Sequence, residues 1–238
     1  MIRFNRYFLP SAILIFAAIF FSRTGYSETL YVFYPTTTRS QIVQKELDRV
    51  CPGIEITVFG RYEDFKAKIG MNSPDAILTK DPVIRQIGGY LTKMEGARKG
   101  ATDEPYVLVS VDKKVDPHNI GNAPIGIFDI LGRKGMKKFV SRYFTATPRL
   151  RRVSKMEDML QLLTFNMADA ILIPEIHVNY FKEISKLNFA VTPVPGMRVG
   201  IIALGVKQGK HAPQIIKGLS GMDNKIKALV EVDDWNQQ

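Results

Sequence analysis

The stretch that decides the fold is residues 29–50, TLYVFYPTTTRSQIVQKELDRV. Its first six residues are mainly apolar or aromatic and predict a short buried β-strand. Pro35 and three threonines end that pattern, and Val43, Leu47 and Val50 then recur at the spacing of one helix face. The stretch is therefore a strand, a loop and a helix in that order, which is the repeating unit of an α/β sheet.

The same order recurs along the chain. Residues 54–58 and 76–79 predict two more strands, with a helix between them at residues 62–69. Three strands that alternate with helices imply a parallel sheet. A second series of strands and helices begins at residue 125, where the order of elements starts again.

This restart predicts two lobes. Residues 112–124 contain charges, two prolines, a glycine and two asparagines, a composition typical of a crossover or hinge. Lobe one is predicted to comprise residues 28–112 and 196–238, and lobe two to be an insertion of residues 113–195. Each lobe is expected to hold a mixed, mostly parallel sheet flanked by helices.

Two helix starts are predicted from capping-box spacing. Thr38 stands three residues before Gln41, and Ser154 stands three residues before Glu157. In each pair the hydroxyl could accept a hydrogen bond from a first-turn amide while the second side chain reaches back. We therefore expect one helix to begin just after Thr38 and another just after Ser154.

The N-terminal segment has the pattern of a secretory signal. Two arginines precede an apolar run at residues 7–21, and the small residues Gly25 and Ser27 suit cleavage before Glu28. The run is shorter than the roughly 20 residues of a spanning helix, which favours removal of residues 1–27 over their retention as an anchor. The expected location is the periplasm.

The net charge of the chain indicates which kinds of partner it could bind. The formal net charge is +10, and without residues 1–27, which hold three arginines and no acid, 30 basic and 23 acidic residues remain. Export and the absence of an aromatic-studded basic motif argue against nucleic acid. The excess of positive charge is interpreted as an aid to solubility or as a means of attracting a small anionic ligand.

Nothing in the sequence indicates an enzyme. Cys51 is the only cysteine, and His118, His177 and His211 stand far apart without a metal-binding or nucleophile motif around them. No catalytic residue, metal site or cofactor is therefore predicted.

Four short stretches occur in the order and at roughly the spacing seen in one family of transport proteins. They are residues 73–78 (SPDAIL), 106–110 (YVLVS), 165–170 (FNMADA) and 192–196 (TPVPG). In their combination, the sequence resembles the phosphate, phosphite and phosphonate-binding branch of the periplasmic substrate-binding proteins of ABC transporters, from about Thr29 to Val206.

The resemblance implies a type II, venus-flytrap fold, a small anion bound between two lobes, delivery to an ABC permease, and no catalysis. A monomer is expected. This chain differs from that branch in being short and in having Gly132-Arg133-Lys134-Gly135 near the position of a Ser-x-Ser-Gly-like turn. These departures favour an alternative, an exported sensory or accessory domain that engages a membrane receptor and has a weak or vestigial cleft.

The residues themselves predict an anion site at two helix N-termini, where free amides and the helix dipole suit phosphate or carboxylate. Thr36, Thr37 and Thr38 surround the first helix start, and their hydroxyls could donate to an anion or simply form the turn. In the second lobe, the turn of Gly132, Arg133, Lys134 and Gly135 offers two flexible positions and two cations, which could equally point to water.

Further candidates stand where other strands end. Lys80 and Asp81 follow the third strand, Glu175 follows the strand that ends near Ile173, and Asp129 could orient the neighbouring cations or bind a ligand amine. Asp81 could instead cap a helix, and Glu175 could stand in the first turn of a helix, where its negative charge interacts favourably with the helix dipole. Tyr34 could pack on a ligand or close the core.

We expect the exported protein to begin at Glu28, because small residues stand at both positions that signal cleavage requires. N-terminal sequencing of the exported protein tests this. A membrane-bound protein that still begins at Met1 would show that the segment is kept as an anchor.

Overall fold

The computed structural model describes residues 27–238. Residues 1–26, which carry most of the predicted signal segment, lie outside the described residues. The strands are β1 (Thr29–Phe33), β2 (Glu55–Val58), β3 (Ala76–Thr79), β4 (Tyr90–Ala97), β5 (Asp103–Val111), β6 (Pro124–Phe128), β7 (Arg149–Val153), β8 (Ala170–Pro174), β9 (Phe189–Gly200), β10 (Ala203–Lys207) and β11 (Asp234–Gln237). The helices are α1 (Ser40–Val50), α2 (Tyr62–Met71), α3 (Asp81–Ile87), α4 (Gly132–Val140), α5 (Glu157–Thr164), α6 (Val178–Ile184), α7 (Pro213–Ser220) and α8 (Asn224–Leu229).

Lobe one is built on a six-stranded sheet in the order β11-β4-β10-β3-β1-β2. As the sequence predicts, β2, β1 and β3 run parallel to one another. Strand β10 then inserts antiparallel between β3 and β4, and β11 forms the outer edge beside β4. The sheet is therefore mixed, with its parallel half contributed by the N-terminal strand–helix units.

Lobe two is built on a five-stranded sheet in the order β7-β6-β8-β5-β9. Strand β6 pairs in parallel with both β7 and β8. Strand β5 runs antiparallel to β8 and to the long strand β9. Two mixed α/β sheets with flanking helices thus form the two-lobe architecture expected from the sequence.

The chain changes sheets at positions that differ from the predicted ones. Both β5 and β9 belong to the sheet of lobe two, so the crossings lie at residues 98–102 and 201–202 rather than at 112 and 196. Residues 112–124, predicted as the crossover, form a loop within lobe two between β5 and β6. An apolar run predicts that a strand is buried but carries no information about which sheet it joins.

Several local predictions also differ from the structure. The charged and glycine-containing composition of residues 96–104 predicts a loop, and the pattern from Gly135 to Phe144 predicts a helix. In the structure, residues 96–104 include the end of β4 and the start of β5, and α4 begins three residues before Gly135. Neither predicted capping box forms. The N-caps of α1 and α5 are Arg39 and Met156, and neither side chain accepts a hydrogen bond from a first-turn amide.

Three hydrophobic clusters form the core. One lies wholly in lobe one between its sheet and helices α1, α7 and α8. Another packs α5 and α6 against the sheet of lobe two. The third joins both lobes, since Phe33 and Phe65 belong to the same cluster as Ile127 and Phe139. Within residues 27–238, no helix is both long and apolar enough to cross a membrane.

A buried ammonium group lies where the chain crosses between sheets. Lys80 is only 3% exposed, and its Nζ donates to Glu104 Oε1 at 2.9 Å and to the carbonyls of Gly200 and Ile201 at 3.1 and 2.9 Å. Glu104 lies at the start of β5, and the two carbonyls lie at the end of β9 and just beyond it. One side chain of lobe one therefore holds both crossing segments.

The ion pairs extend from Glu104 to the C-terminal part of the chain. Arg98 Nη1 donates to Glu104 Oε2 at 2.9 Å, and its Nη2 lies 3.7 Å from Glu231 Oε2. His177 Nε2 in lobe two lies 3.0 Å from Glu231 Oε1. Burial by itself would raise the pKa of Glu104, but Lys80 and Arg98 hold it below its usual range.

We expect Glu104→Gln to lower the free energy of unfolding by about 3 kcal/mol, because it leaves the buried Lys80 ammonium without a charged partner. Since the pKa of Glu104 is lowered in the folded state, its contribution should be present above the unfolded pKa and be lost as the pH falls through the folded pKa. Urea titrations at neutral and acidic pH measure both effects.

The adjacent residue supplies the control. Asp103 forms an exposed pair with Arg198 at 2.8 Å, so Asp103→Asn should cost less than about 1 kcal/mol. Equal losses from the two substitutions would contradict the role of the buried pair.

Candidate functional site

The carboxyl ends of strands from both lobes meet at an apolar centre. The rings of Phe33 in β1 and Phe128 in β6 lie 6.4 Å apart, and Pro35 packs near Tyr106 and Pro174. The space left among these residues is about 10 Å³, at most enough for one water molecule. The middle of the cleft is therefore closed by packed side chains.

A larger pocket opens beside this centre, and both lobes form its walls. Its volume is about 640 Å³, within the usual range for small-molecule sites. We call it the inter-lobe pocket. Its lining residues are Tyr34, Thr36, Thr38, Arg39, Ser40, Gln41, Val43, Val58, Phe59, Gly60, Arg61, Asp64, Phe128, Ser154, Lys155, Met156, Glu157 and Asp158.

Three helix N-termini contribute to the inter-lobe pocket. Helices α1 and α2 begin there after β1 and β2 of lobe one, and α5 begins there after β7 of lobe two. Their N-cap residues are Arg39, Arg61 and Met156, and none of these side chains accepts a hydrogen bond from the first turn. The first-turn amides are therefore left without the side-chain acceptors that usually cap a helix.

Charged side chains of both signs line the inter-lobe pocket. Arg39, Arg61 and Lys155 are cationic, and they are matched by three acids, Asp64, Glu157 and Asp158. Arg61 and Asp64 form an exposed pair at 3.9 Å. Because the side-chain charges sum to zero, the net positive potential of the inter-lobe pocket comes from the dipoles of the three helices that begin there.

Hydroxyl groups add donors and acceptors around the helix starts. Thr36, Thr38, Ser40 and Ser154 all line the inter-lobe pocket. The Thr36 hydroxyl already accepts a hydrogen bond from the amide of Thr38 at 3.2 Å, which shapes the turn before α1. Thr36 and Thr38 of the threonine turn thus line the inter-lobe pocket, whereas Thr37 is not among its lining residues.

Tyr34 lines the inter-lobe pocket and also makes a hydrogen bond that holds the fold together. Its side chain is buried, and its hydroxyl donates to the carbonyl of Leu229. Burial, followed by the nearby Glu231, raises the pKa of Tyr34 far above its usual value, so the hydroxyl stays protonated. The phenol therefore ties α8 to the end of β1 while its ring contributes to the inter-lobe pocket.

The second predicted anion site lies elsewhere and has an acceptor of its own. Asp129 Oδ1 accepts from the amides of Gly132 and Leu131 at 2.7 and 3.3 Å, and its other oxygen pairs with Arg152. The carboxylate thus occupies the position at the start of α4 that a bound anion would take. Its cationic partner is Arg152, not the Arg133 or Lys134 expected from the sequence.

The turn at Gly132 also packs directly on lobe one. Gln86 Nε2 donates to the hydroxyl of Tyr62 at 2.6 Å and to the carbonyl of Leu131 at 2.8 Å, so one amide bridges the lobes. A Cβ on Gly135 would lie 2.3 Å from Gln86 Oε1. Arg133 and Lys134 are exposed, and the turn does not line the inter-lobe pocket.

The remaining predicted residues are also outside the inter-lobe pocket. Lys80 is buried at the crossing between the sheets, and Asp81 pairs with Arg85 within α3 rather than capping that helix. Glu175 is exposed in a short 3₁₀ turn after β8. The groups that follow β3 and β8 therefore serve the hinge and the surface.

The cations of the inter-lobe pocket were not predicted from the sequence. Arg61 and Lys155 follow β2 and β7, the outer parallel strands of the two sheets, just before α2 and α5. The rule that ligands meet the carboxyl ends of parallel strands was applied to the central strands and could have been extended to these two. Among residues 27–238, no group of three or more histidine, cysteine or acidic side chains is arranged to hold a metal ion.

No family model matches the sequence, and a search of curated proteins finds no match. Solved structures do match. XAC2383 from Xanthomonas citri, solved with ATP, has a TM-score of 0.63 at 12% identity over 89% of this chain and 92% of its own. The substrate-binding protein of an amino acid ABC transporter has a TM-score of 0.52 at 9% identity, over 85% and 91%. The periplasmic VFT2 domain of BvgS from Bordetella pertussis has 0.53 at 13%, over 86% and 92%.

These identities are low, so the likeness shows the fold alone. This chain has the two-lobe fold of type II periplasmic binding proteins, which is also found in the substrate-binding protein of an amino acid ABC transporter and in the periplasmic VFT2 domain of BvgS. The neighbours do not single out the phosphate and phosphonate branch that the sequence resembles.

We expect Gly135→Ala to destabilise the protein, although alanine within a helix is ordinarily favoured over glycine by about 1 kcal/mol. The new methyl group would lie 2.3 Å from Gln86 Oε1 and 2.7 Å from Leu131 Cβ, so it should break the bridge between the lobes. Gly70, near the end of α2, has open space around it, and Gly70→Ala should be stabilising. Thermal unfolding of both variants tests this; a stabilising Gly135→Ala would refute the close contact.

Proposed function

We propose that this protein is a solute-binding protein that captures a small ligand with an anionic group in the inter-lobe pocket and delivers it to an ABC permease. The observation that carries the proposal is the convergence of three helix N-termini without side-chain caps in one pocket of about 640 Å³. Unsatisfied amides and positive dipole ends are a ready site for phosphate, phosphonate or carboxylate.

The position of the inter-lobe pocket suits capture by closure. Arg39 and Arg61 come from lobe one, and Lys155 comes from lobe two. A ligand that contacts all three would bind more tightly when the lobes are together, because closure removes water from the charges and strengthens each interaction. Such a ligand shifts the population toward the closed form.

The acidic side chains that line the inter-lobe pocket indicate which class of ligand would fit it. Asp64, Glu157 and Asp158 balance the three cations, so a purely anionic ligand would leave them facing negative charge. A ligand that carries an ammonium group beside its phosphonate or carboxylate would satisfy both sets. We therefore favour a zwitterionic ligand, such as an aminophosphonate or an amino acid, over inorganic phosphate.

The proposal contains no catalytic step. The residues that line the inter-lobe pocket include no histidine or cysteine, and Cys51 is buried against the helix α7 that carries Gly218. Burial raises the pKa of the Cys51 thiol, and the nearby Asp48 raises it further, which disfavours the reactive thiolate. The partners in this proposal are the ligand and a permease, in the periplasm.

A second candidate is an exported sensory or accessory domain that engages a membrane receptor. The observation that favours it is the closed centre of the cleft. There Gln86 bridges the lobes, and the Asp129 carboxylate accepts a hydrogen bond from the amide of Gly132. Because these contacts already hold the two lobes together, the lobes would not need a ligand in order to close. In this candidate the inter-lobe pocket would be vestigial.

We expect a thermal-shift screen with amino acids, aminophosphonates, phosphonates, phosphate and sulfate to give a hit, and we expect Arg39→Ala combined with Arg61→Ala to weaken the binding of that hit. The loss should be about 2 kcal/mol, or roughly 30-fold in Kd, for charged hydrogen bonds removed from an enclosed site. Calorimetry measures it.

The matched control is Arg133→Ala combined with Lys134→Ala, which removes the same charge from the turn predicted by sequence. If the inter-lobe pocket is the site, this variant should bind with unchanged affinity. A loss in the control and not in the Arg39 and Arg61 variant would assign the ligand to the turn. A screen without any hit would favour the sensory candidate.

A further inference from the structure

The positive charge of this chain is concentrated in one segment of lobe two. Residues 130–156 contain nine arginines and lysines and no aspartate or glutamate. When these nine are set aside, the whole sequence has 24 basic and 23 acidic residues, so this segment accounts for nearly all of the net charge of +10. A general need for solubility would not confine the excess to 27 consecutive residues.

Seven of these cations form an exposed surface on α4, on the turn after it and on β7. They are Arg133, Lys134, Lys137, Lys138, Arg142, Arg149 and Arg151, and we call them the basic face. Among the described residues, none of the seven has an ion pair. Arg152, by contrast, pairs with Asp129, and Lys155 lines the inter-lobe pocket.

The fold leaves the cations of α4 and of the turn after it on one side of the lobe. Arg149 and Arg151 lie at the β7 edge, on the face of the strand opposite to Leu150. Helix α4 buries Met136, Phe139 and Val140 in the cluster that Leu150 of β7 also contacts, so its opposite face is left to solvent. Strand β7 is the edge of its sheet and pairs only with β6. Within α4, the cations from Arg133 to Lys138 extend over about 8 Å at 1.5 Å per residue, and Arg142 follows in the turn after the helix.

The character of the basic face indicates its partner. Its charges stand on a helix surface and a sheet edge, not in a cavity, and none of the large exposed hydrophobic side chains of the described chain lies in residues 130–156. Protein interfaces depend on apolar and aromatic anchors, and single-stranded nucleic acid sites on exposed aromatic rings. Of the three aromatic residues in this segment, Phe139 and Phe144 are buried, and Tyr143 is half-buried with its ring packed edge-on against Phe139. An extended array of negative headgroups needs neither anchors nor shape complementarity.

We propose that the basic face docks lobe two on the surface of a bilayer that contains anionic phospholipids. Each lysine or arginine near such a surface contributes about fivefold in affinity, since about 1 kcal/mol per charge corresponds to that factor. The five cations on α4 and on the turn after it can meet one planar surface together, which is enough for reversible attachment at low ionic strength. The attachment does not depend on the ligand proposal, because the basic face excludes the cations of the inter-lobe pocket.

The experiment is co-sedimentation of residues 28–238 with vesicles of phosphatidylcholine alone or with about one third phosphatidylglycerol. This fragment contains every residue of the three hydrophobic clusters and omits the apolar N-terminal run, which would itself partition into vesicles. We expect binding to the anionic vesicles only, with a steep loss as the salt concentration rises, because counterions screen exposed charges.

The variant that tests the surface is Lys134→Glu, Lys137→Glu, Lys138→Glu and Arg142→Glu together. At about fivefold per charge, the affinity for anionic vesicles should fall by about 100-fold or more. The matched control changes four exposed lysines outside the basic face, Lys66, Lys68, Lys93 and Lys182, to glutamate, so its net charge changes by the same amount. It should bind anionic vesicles clearly more tightly than the basic-face variant. A glutamine version of the basic-face variant should give a smaller loss, and circular dichroism shows whether each variant is folded.

Two results would overturn the proposal. One is equal binding to neutral and anionic vesicles, or equal losses in the basic-face and control variants, which would make net charge alone responsible. The other is tighter binding, at equal salt and equal anionic charge, to an acidic peptide or to short duplex DNA than to the vesicles, which would assign the basic face to that polyanion. Neither result would affect the ligand screen.

Discussion

The buried ammonium of Lys80 is the interaction on which the two-lobe arrangement depends. It binds Glu104 just beyond one crossing segment and two carbonyls at the other, so both connections between the sheets are held by one side chain. A charge in such a place is stable only when its partners stay close. Any relative motion of the lobes therefore has to pivot around residues 98–104 and 200–202 rather than pull them apart.

The same physics of helix N-termini is used in two different ways. At α4 the amides are satisfied inside the protein by Asp129, and the turn is packed against lobe one. At α1, α2 and α5 no side chain caps the helix, and all three starts face the inter-lobe pocket. This difference between a filled and an open terminus distinguishes a structural turn from a candidate binding site, although both follow a strand in the sequence.

Most of the local structure could be predicted from the sequence, because apolar periodicity reports which residues are buried. The strand at Ala76–Thr79 and the parallel arrangement of β1, β2 and β3 are confirmed. Strand β4 was missed because charges interrupt its apolar residues, and β5 was assigned to the wrong sheet because pairing is a long-range property. Of the candidate site, the threonine turn could be located, whereas the self-satisfied turn at Gly132 could not, since only the folded geometry brings Asp129 to its amides.

The insertion of β10 between β3 and β4 bears on how the protein is made. Ala203–Lys207 is synthesised after all of lobe two, yet it occupies the interior of the first sheet and pairs on both sides. Until those residues have left the ribosome, β3 and β4 expose unpaired backbone edges that can join other chains. Lobe two has no such gap, since its strands are consecutive from β5 to β9. The nascent chain can thus complete its inserted lobe first, and any delay at the C-terminus prolongs the interval in which lobe one is prone to aggregate.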